Sequence, residues 1–231
     1  MYGYYFDWTY LLVLVGAVLS LIASARVQST FNKYAKVRSM TGMTGAQAAE
    51  RILHYNGIYD VQIQRVSGNL TDHYNPSKKV LSLSDSTYAS ASVAAVGVAA
   101  HECGHAIQHD VGYGPLKLRS SLVPAANIGS KLGIPLILLG VFLSYNSVLI
   151  QIGIWVFALA VLFQVVTLPV EFNASSRAVE ALDSMGILVG EEVSQCRKVL
   201  SAAALTYVAA AASAILQLLR LIILFGNRRR D

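Results

Sequence analysis

The run VLIQIGIWVFALAVLFQVVTLP, from Val148 to Pro169, contains no charged residue. It matches the ~20 apolar residues that carry a helix across a hydrocarbon core of ~30 Å. Inside lipid every backbone N–H and C=O must be satisfied within the protein, so an isolated run of this kind is a transmembrane helix. Three more runs share the character: Tyr10 to Ala25, Ile128 to Tyr145 and Ala202 to Phe225. The last is interrupted by Arg220, and its Ala-rich first half suits a buried helix equally well. Three or four transmembrane helices are therefore expected. Only Asn146 and Ser147 separate the second run from the third, which makes them a hairpin. Composition agrees, with 55% hydrophobic and 13% charged residues against about 25% charged in soluble domains.

Sidedness follows from lysine and arginine. The aromatic N-terminus MYGYYFDWTY suits the headgroup belt. Ala23-Ser24-Ala25 resembles a signal-peptidase site, but no basic residue precedes the run and Asp7 does, so an uncleaved anchor with its N-terminus outside is expected. Arg26, Lys33, Lys36 and Arg38 follow the first run, Lys117, Arg119 and Lys131 flank the start of the second, and Arg177, Arg197 and Lys198 follow the third. The positive-inside rule then places Val27 to Ile128 and Glu171 to Lys198 in the cytoplasm. If the fourth run crosses, the terminal Arg-Arg-Arg-Asp lies outside, against the rule. The expected organisation is an N-terminal anchor (1–27), a cytoplasm-facing region (28–127), a transmembrane hairpin (128–170), a helix (171–200) and a C-terminal apolar helix with a basic tail (201–231). The net charge of +5 is dispersed and not interleaved with aromatics, which argues against nucleic acid as a partner. Cys103 and Cys196 are far apart and form no disulfide framework, as suits a reducing compartment.

In the water-facing region, MTGAQAAERILHYNGI reads as a helix, with Thr44 as N-cap, Gln47 completing a capping box and Gly57 as the stop. DVQIQRVSGNLTDHYNPSKKVLSLS alternates apolar and polar residues between turn signals, giving strands at Val61 to Val66, Asp72 to Tyr74 and Val80 to Leu83. The expectation is a small antiparallel sheet, whose edge could receive an extended peptide. Ser86 to Ala100 is built of Ala, Ser, Val and Gly and reads as one helix packed inside protein.

That helix leads into AAHECGHAIQH. His101 and His105 lie one turn apart on one face, so both imidazoles can reach one ion at the ~2.0–2.1 Å of a Zn–N bond. Glu102 stands about 100° round the helix, beside the ion, where it can take a proton from an activated water. This is the H-E-x-x-H arrangement of metalloproteases. The rival reading, a chance match in a buried helix, leaves two histidines and a glutamate with no partners to offset desolvation. His109 is ~12 Å from His101 along the axis, too far to share the ion, and reads as an outer or surface residue. A catalytic zinc needs a third protein ligand. Glu171 meets that need, because the hairpin returns the chain to the same side of the membrane just before it. Beyond Glu171 an amphipathic helix places Ala174, Ala178, Ala181, Leu182 and Met185 on one face and stops at Gly186, with Glu180 and Asp183 toward solvent. His73, Tyr74 and Arg177 are unranked candidates for the donor that meets a developing oxyanion. Cys103 reads as a small buried hydrophobe, although a thiol so near zinc could be sensitive to oxidation.

HECGHAIQH, followed after two apolar runs by LPVEFNASSRA, resembles the YugP-like neutral zinc metallopeptidases of bacterial membranes. DHYNPSKKVLSLS and LTYVAAAASAILQLLR extend the resemblance over nearly the whole chain. It implies a zincin-like core of the gluzincin type, Zn2+ as cofactor and a polypeptide substrate. The order of elements is also similar to that of HtpX-like peptidases. Those carry an aspartate four residues after the ligand glutamate, where this chain has Ser175. Together these readings describe a mainly helical membrane protein with a small sheet, anchored in the cell membrane with its active site toward the cytoplasm. Three alternatives compete with peptide hydrolysis at the membrane surface. Intramembrane cleavage does not suit the composition of Ser86 to Ile107. A structural-zinc adaptor would have no use for Glu102. Transport would need ionisable groups, of which the spans hold almost none.

Overall fold

The computed structural model describes residues 7–226. In chain order the elements are α1 (Tyr10–Tyr34), α2 (Gly45–Tyr55), β1 (Gln62–Val66), β2 (His73–Asn75), β3 (Val80–Ser84), α3 (Asp85–Tyr88), α4 (Val93–Asp110), α5 (Gly114–Phe142), α6 (Ser147–Ser184) and α7 (Glu191–Phe225). Four of these helices, α1, α5, α6 and α7, are long and apolar enough to cross a membrane. The mainly helical membrane architecture read from the sequence is therefore present, with all four spans as candidates. The chain divides into two compact units. Among the described residues, one comprises 7–23, Leu118–Leu168 and 206–226, and the other Ser24–Lys117 and Pro169–Leu205.

In the first unit, the absence of side chains lets helices approach. A Cβ on Gly153 of α6 would stand 2.8 Å from the Gly133 carbonyl of α5, so these backbones touch. Ser213 of α7 donates to the Gly16 carbonyl of α1 at 2.8 Å. Arg220, the residue that interrupts the fourth apolar run, is fully engaged. Its guanidinium lies 4.1 Å from the Tyr10 ring centroid, donates to Thr9 at 3.3 Å and reaches Asp7 at 3.8 Å. The C-terminal end of α7 therefore sits level with the N-terminal end of α1, as a crossing α7 requires. The basic tail that would then violate the positive-inside rule lies outside the described residues.

The second unit is built round α4. Its core joins Ile52 and Leu53 of α2, Leu81 and Leu83 of β3, Val93 and Val96 of α4, and Leu182 of α6. The capping box on α2 forms as expected, with Thr44 and Gln47 bonded reciprocally, and Gly57 closes the helix at φ +74°.

Two expectations are corrected in this unit. The sheet is mixed, not antiparallel: in the order β1-β3-β2, β1 runs parallel to β3 and only β2 is antiparallel to it. The turn signal at Ser67-Gly68-Asn69 does not make a hairpin, because Gly68 exchanges hydrogen bonds with Asp85 at the far end of β3. That tie carries the chain past β3 before it reverses. Secondly, Ser86 to Ala100 is not one helix. It breaks between Tyr88 and Val93, where Ser39 donates to the Ala91 carbonyl at 2.8 Å and Ser92 caps α4 by accepting from the Ala95 amide. A serine side chain that caps a helix as Ser92 does competes with a continuous helix, and the Ser39 contact is made by its backbone amide.

Candidate metal centre

Consecutive turns of α4 present His101 and His105, with ring centroids 4.8 Å apart. Glu171 faces them from α6. Its Oε2 lies 3.3 Å from His101 Nε2 and 3.5 Å from His105 Nε2. One ligand atom from each residue falls within 4.8 Å of the others. So close an approach of two helices depends on Gly104, where a Cβ would stand 2.5 Å from the Ala174 carbonyl. The Glu171 side chain is almost wholly buried and the imidazoles largely so. Glu102 is buried beside them.

Whether this donor set suits a metal depends on which ring nitrogens are available. Arg177 Nε, which can only donate, bonds the Asn173 side chain at 2.9 Å, so the atom it meets is the amide oxygen. Gln108 meets that same oxygen at 2.9 Å and the Val170 carbonyl at 2.8 Å. It must turn its NH2 toward them. Its oxygen is left facing His105 Nδ1 at 3.0 Å, so Nδ1 carries the hydrogen, and it is Nε2 that has the lone pair when the ring is neutral. Ser175 Oγ lies 3.2 Å from His101 Nδ1 and so meets the outer nitrogen of the other ring. Metal-bound histidines are held by such bonds at their outer nitrogen. Two imidazole nitrogens and one carboxylate also make a recognised zinc ligand set that leaves a coordination position open. The residues fit the ion.

Burial opposes a charge on His105. The hydrogen bond to Glu171 and the charges of Glu102 and Glu171 outweigh it, and the His105 pKa is raised. Burial pushes the Cys103 thiol pKa up. Its Sγ contacts the Ala49 carbonyl at 3.6 Å, so it behaves as the buried hydrophobe expected and not as a reactive thiol.

The remaining candidates are dispersed. His109 stays outside the donor set and pairs with the Tyr74 hydroxyl at 3.0 Å, in a cavity of about 200 Å³ that Asp60, Lys79 and Asp110 also line. His73 is exposed and turned to the Thr71 carbonyl at 2.9 Å. Arg177 is committed to Asn173. Gln108 was missed from the sequence, although a fully buried glutamine three residues beyond a histidine on a helix is a signal of its own.

Four helices long and apolar enough to cross a membrane, with an H-E-x-x-H helix set against a glutamate on a second helix, are the features expected of a membrane metallopeptidase. Residues 9–226 match the family described as "Putative neutral zinc metallopeptidase". The chain belongs to that family, whose metal is zinc. It is similar to the "Putative membrane protease YugP" of Bacillus subtilis (strain 168), being 48% identical over 213 residues that cover 92% of this chain and 94% of that one. No solved structure matches it.

As a zinc site, this arrangement makes two predictions. Gln108→Leu should weaken zinc affinity about 10- to 100-fold; an affinity equal to that of the wild type in a chelator-competition titration would contradict the role given to Gln108. Zinc binds neutral imidazole, so a raised His105 pKa means that protons compete from higher pH than usual. Zinc affinity should therefore fall on acidification, beginning above the ordinary histidine value of ~6.5. An affinity flat from pH 8 to pH 6 would contradict this.

Proposed function

We propose that this protein is an integral-membrane zinc endopeptidase that hydrolyses membrane-associated or cytoplasmic polypeptides at the cytoplasmic face of the bacterial cell membrane. The observation that carries the reading is the convergence of His101 Nε2, His105 Nε2 and Glu171 Oε2. These three residues would hold the zinc, which when bound supplies Lewis acidity toward a water and the scissile carbonyl. Glu102, next to His101 in sequence and enclosed on α4, takes a proton from the attacking water and returns it to the departing amine. Gln108 and Ser175 hold the two rings in the orientation that leaves Nε2 toward the ion. Arg177 acts at one remove, fixing Asn173 and through it Gln108.

Hydrolysis at the membrane surface accords better with the architecture than cleavage within the bilayer. Among the described residues α4 is not one of the helices long and apolar enough to cross, and it is packed on α2 and the sheet. The cytoplasmic assignment rests on the lysines and arginines that flank the spans.

Glu102→Gln separates catalysis from metal binding. The purified variant should retain its zinc while chelator-sensitive cleavage of a casein substrate falls about 10²- to 10⁴-fold. Full cleavage by this variant would remove Glu102 from the mechanism, and zinc bound by a wild-type protein that cleaves nothing would favour the adaptor.

A further inference from the structure

On α1, Arg26, Ser29, Thr30 and Lys33 follow the i, i+3, i+4, i+7 spacing of a single helix face. On α7, Ser194, Arg197, Lys198 and Ser201 follow the same spacing. The two faces line one open cleft of about 420 Å³. Four cations and several hydroxyls therefore share a cavity with no carboxylate in its lining. Lys33 lies 5.3 Å from the Tyr34 ring centroid, and among the described residues no acidic side chain pairs with any of the four.

The depth of the cleft is set by helix geometry. Arg26 is the first residue beyond the apolar run that ends at Ala25, and Lys198 stands just before the run that begins at Ala202. From Arg26 to Lys33 is ~10 Å of helix, comparable with the ~5–8 Å that the headgroup region adds on each side of the hydrocarbon core. The charges are thus stationed where lipid phosphates lie. Beneath them, Phe31 and Tyr34 of α1 pack with Val199 of α7 and Ala94 of α4, so whatever draws the two basic faces together also clamps this cluster.

We propose that the cleft binds the phosphate headgroup of an anionic phospholipid, which bridges α1 and α7 at the membrane surface. Phosphate oxygens accept from the two arginines, the two lysines and the hydroxyls between them, and relieve the repulsion among the cations. A lipid is favoured over a dissolved anion because an open, exposed site holds a free ion weakly, whereas the bilayer supplies headgroups at this depth in high local concentration. The site is independent of the peptidase reading.

The test uses the full chain purified in mild detergent, mixed with equimolar phosphatidylglycerol and phosphatidylcholine, and reads retained lipid by native mass spectrometry and Tm by thermal unfolding. The wild type should retain phosphatidylglycerol selectively and gain Tm with it. Lys33→Gln with Lys198→Gln should lose about thirtyfold in that retention, the weight of two interfacial lysines, together with the gain in Tm. Lys33→Arg with Lys198→Arg should keep both. Lys36→Gln with Lys117→Gln removes the same charge outside the cleft and should also keep both. Equal losses in the two Gln pairs would overturn the proposal in favour of diffuse attraction. The absence of lipid selectivity, or equal stabilisation by inorganic phosphate at the same concentration, would overturn it too.

Discussion

Three donor atoms from two helices come together here because the helix backbones are almost in contact. Gly104 is what permits this: its missing side chain is the space into which the Ala174 carbonyl fits. Glu171 lies one turn before Ala174 on α6, and His101 and His105 flank Gly104 on α4, so that one contact sets the separation of all three ligand atoms. The rest of the polar unit serves it. The capped α2 and the sheet join α4 in one core through Ile52, Leu53, Leu81 and Leu83, while Leu182, about two turns beyond Ala174, adds α6 to it.

The second constraint is electrostatic. Buried imidazoles beside a buried carboxylate can accept a proton or a cation, and Glu171 and Glu102 raise the His105 pKa against the opposing effect of burial. What directs that preference toward a metal is the chain of amides behind the ring. It starts at Arg177, which cannot accept, and ends at His105 Nδ1, which must donate. The Ser175 hydroxyl meets the outer nitrogen of His101 at 3.2 Å.

Much of this was legible in the residues, and the reasons differ by element. The His101 and His105 spacing is local and periodic, so helix geometry alone puts the two rings together. Glu171 could be reached through topology, because a hairpin must return the chain to the side it left. The capping box at Thr44 is a contact across three residues and formed as expected. Long-range pairings were not legible. Nothing within Val61 to Ser84 says that β1 pairs with β3 and not with β2, since the decision rests on Gly68 meeting Asp85. Nor did composition reveal the break before α4, which depends on Ser39 reaching the Ala91 carbonyl from a distant segment. Arg220 looked like a defect in an apolar run until Asp7, Thr9 and Tyr10 supplied its partners.

The central claim concerns which atoms surround the ion, and X-ray absorption at the zinc edge of the purified protein measures that directly. The account predicts a shell of nitrogen and oxygen at ~2.0–2.2 Å, with the outer-ring scattering of two imidazoles and no sulfur. A sulfur contribution at ~2.3 Å, or the scattering of a single imidazole, would contradict it.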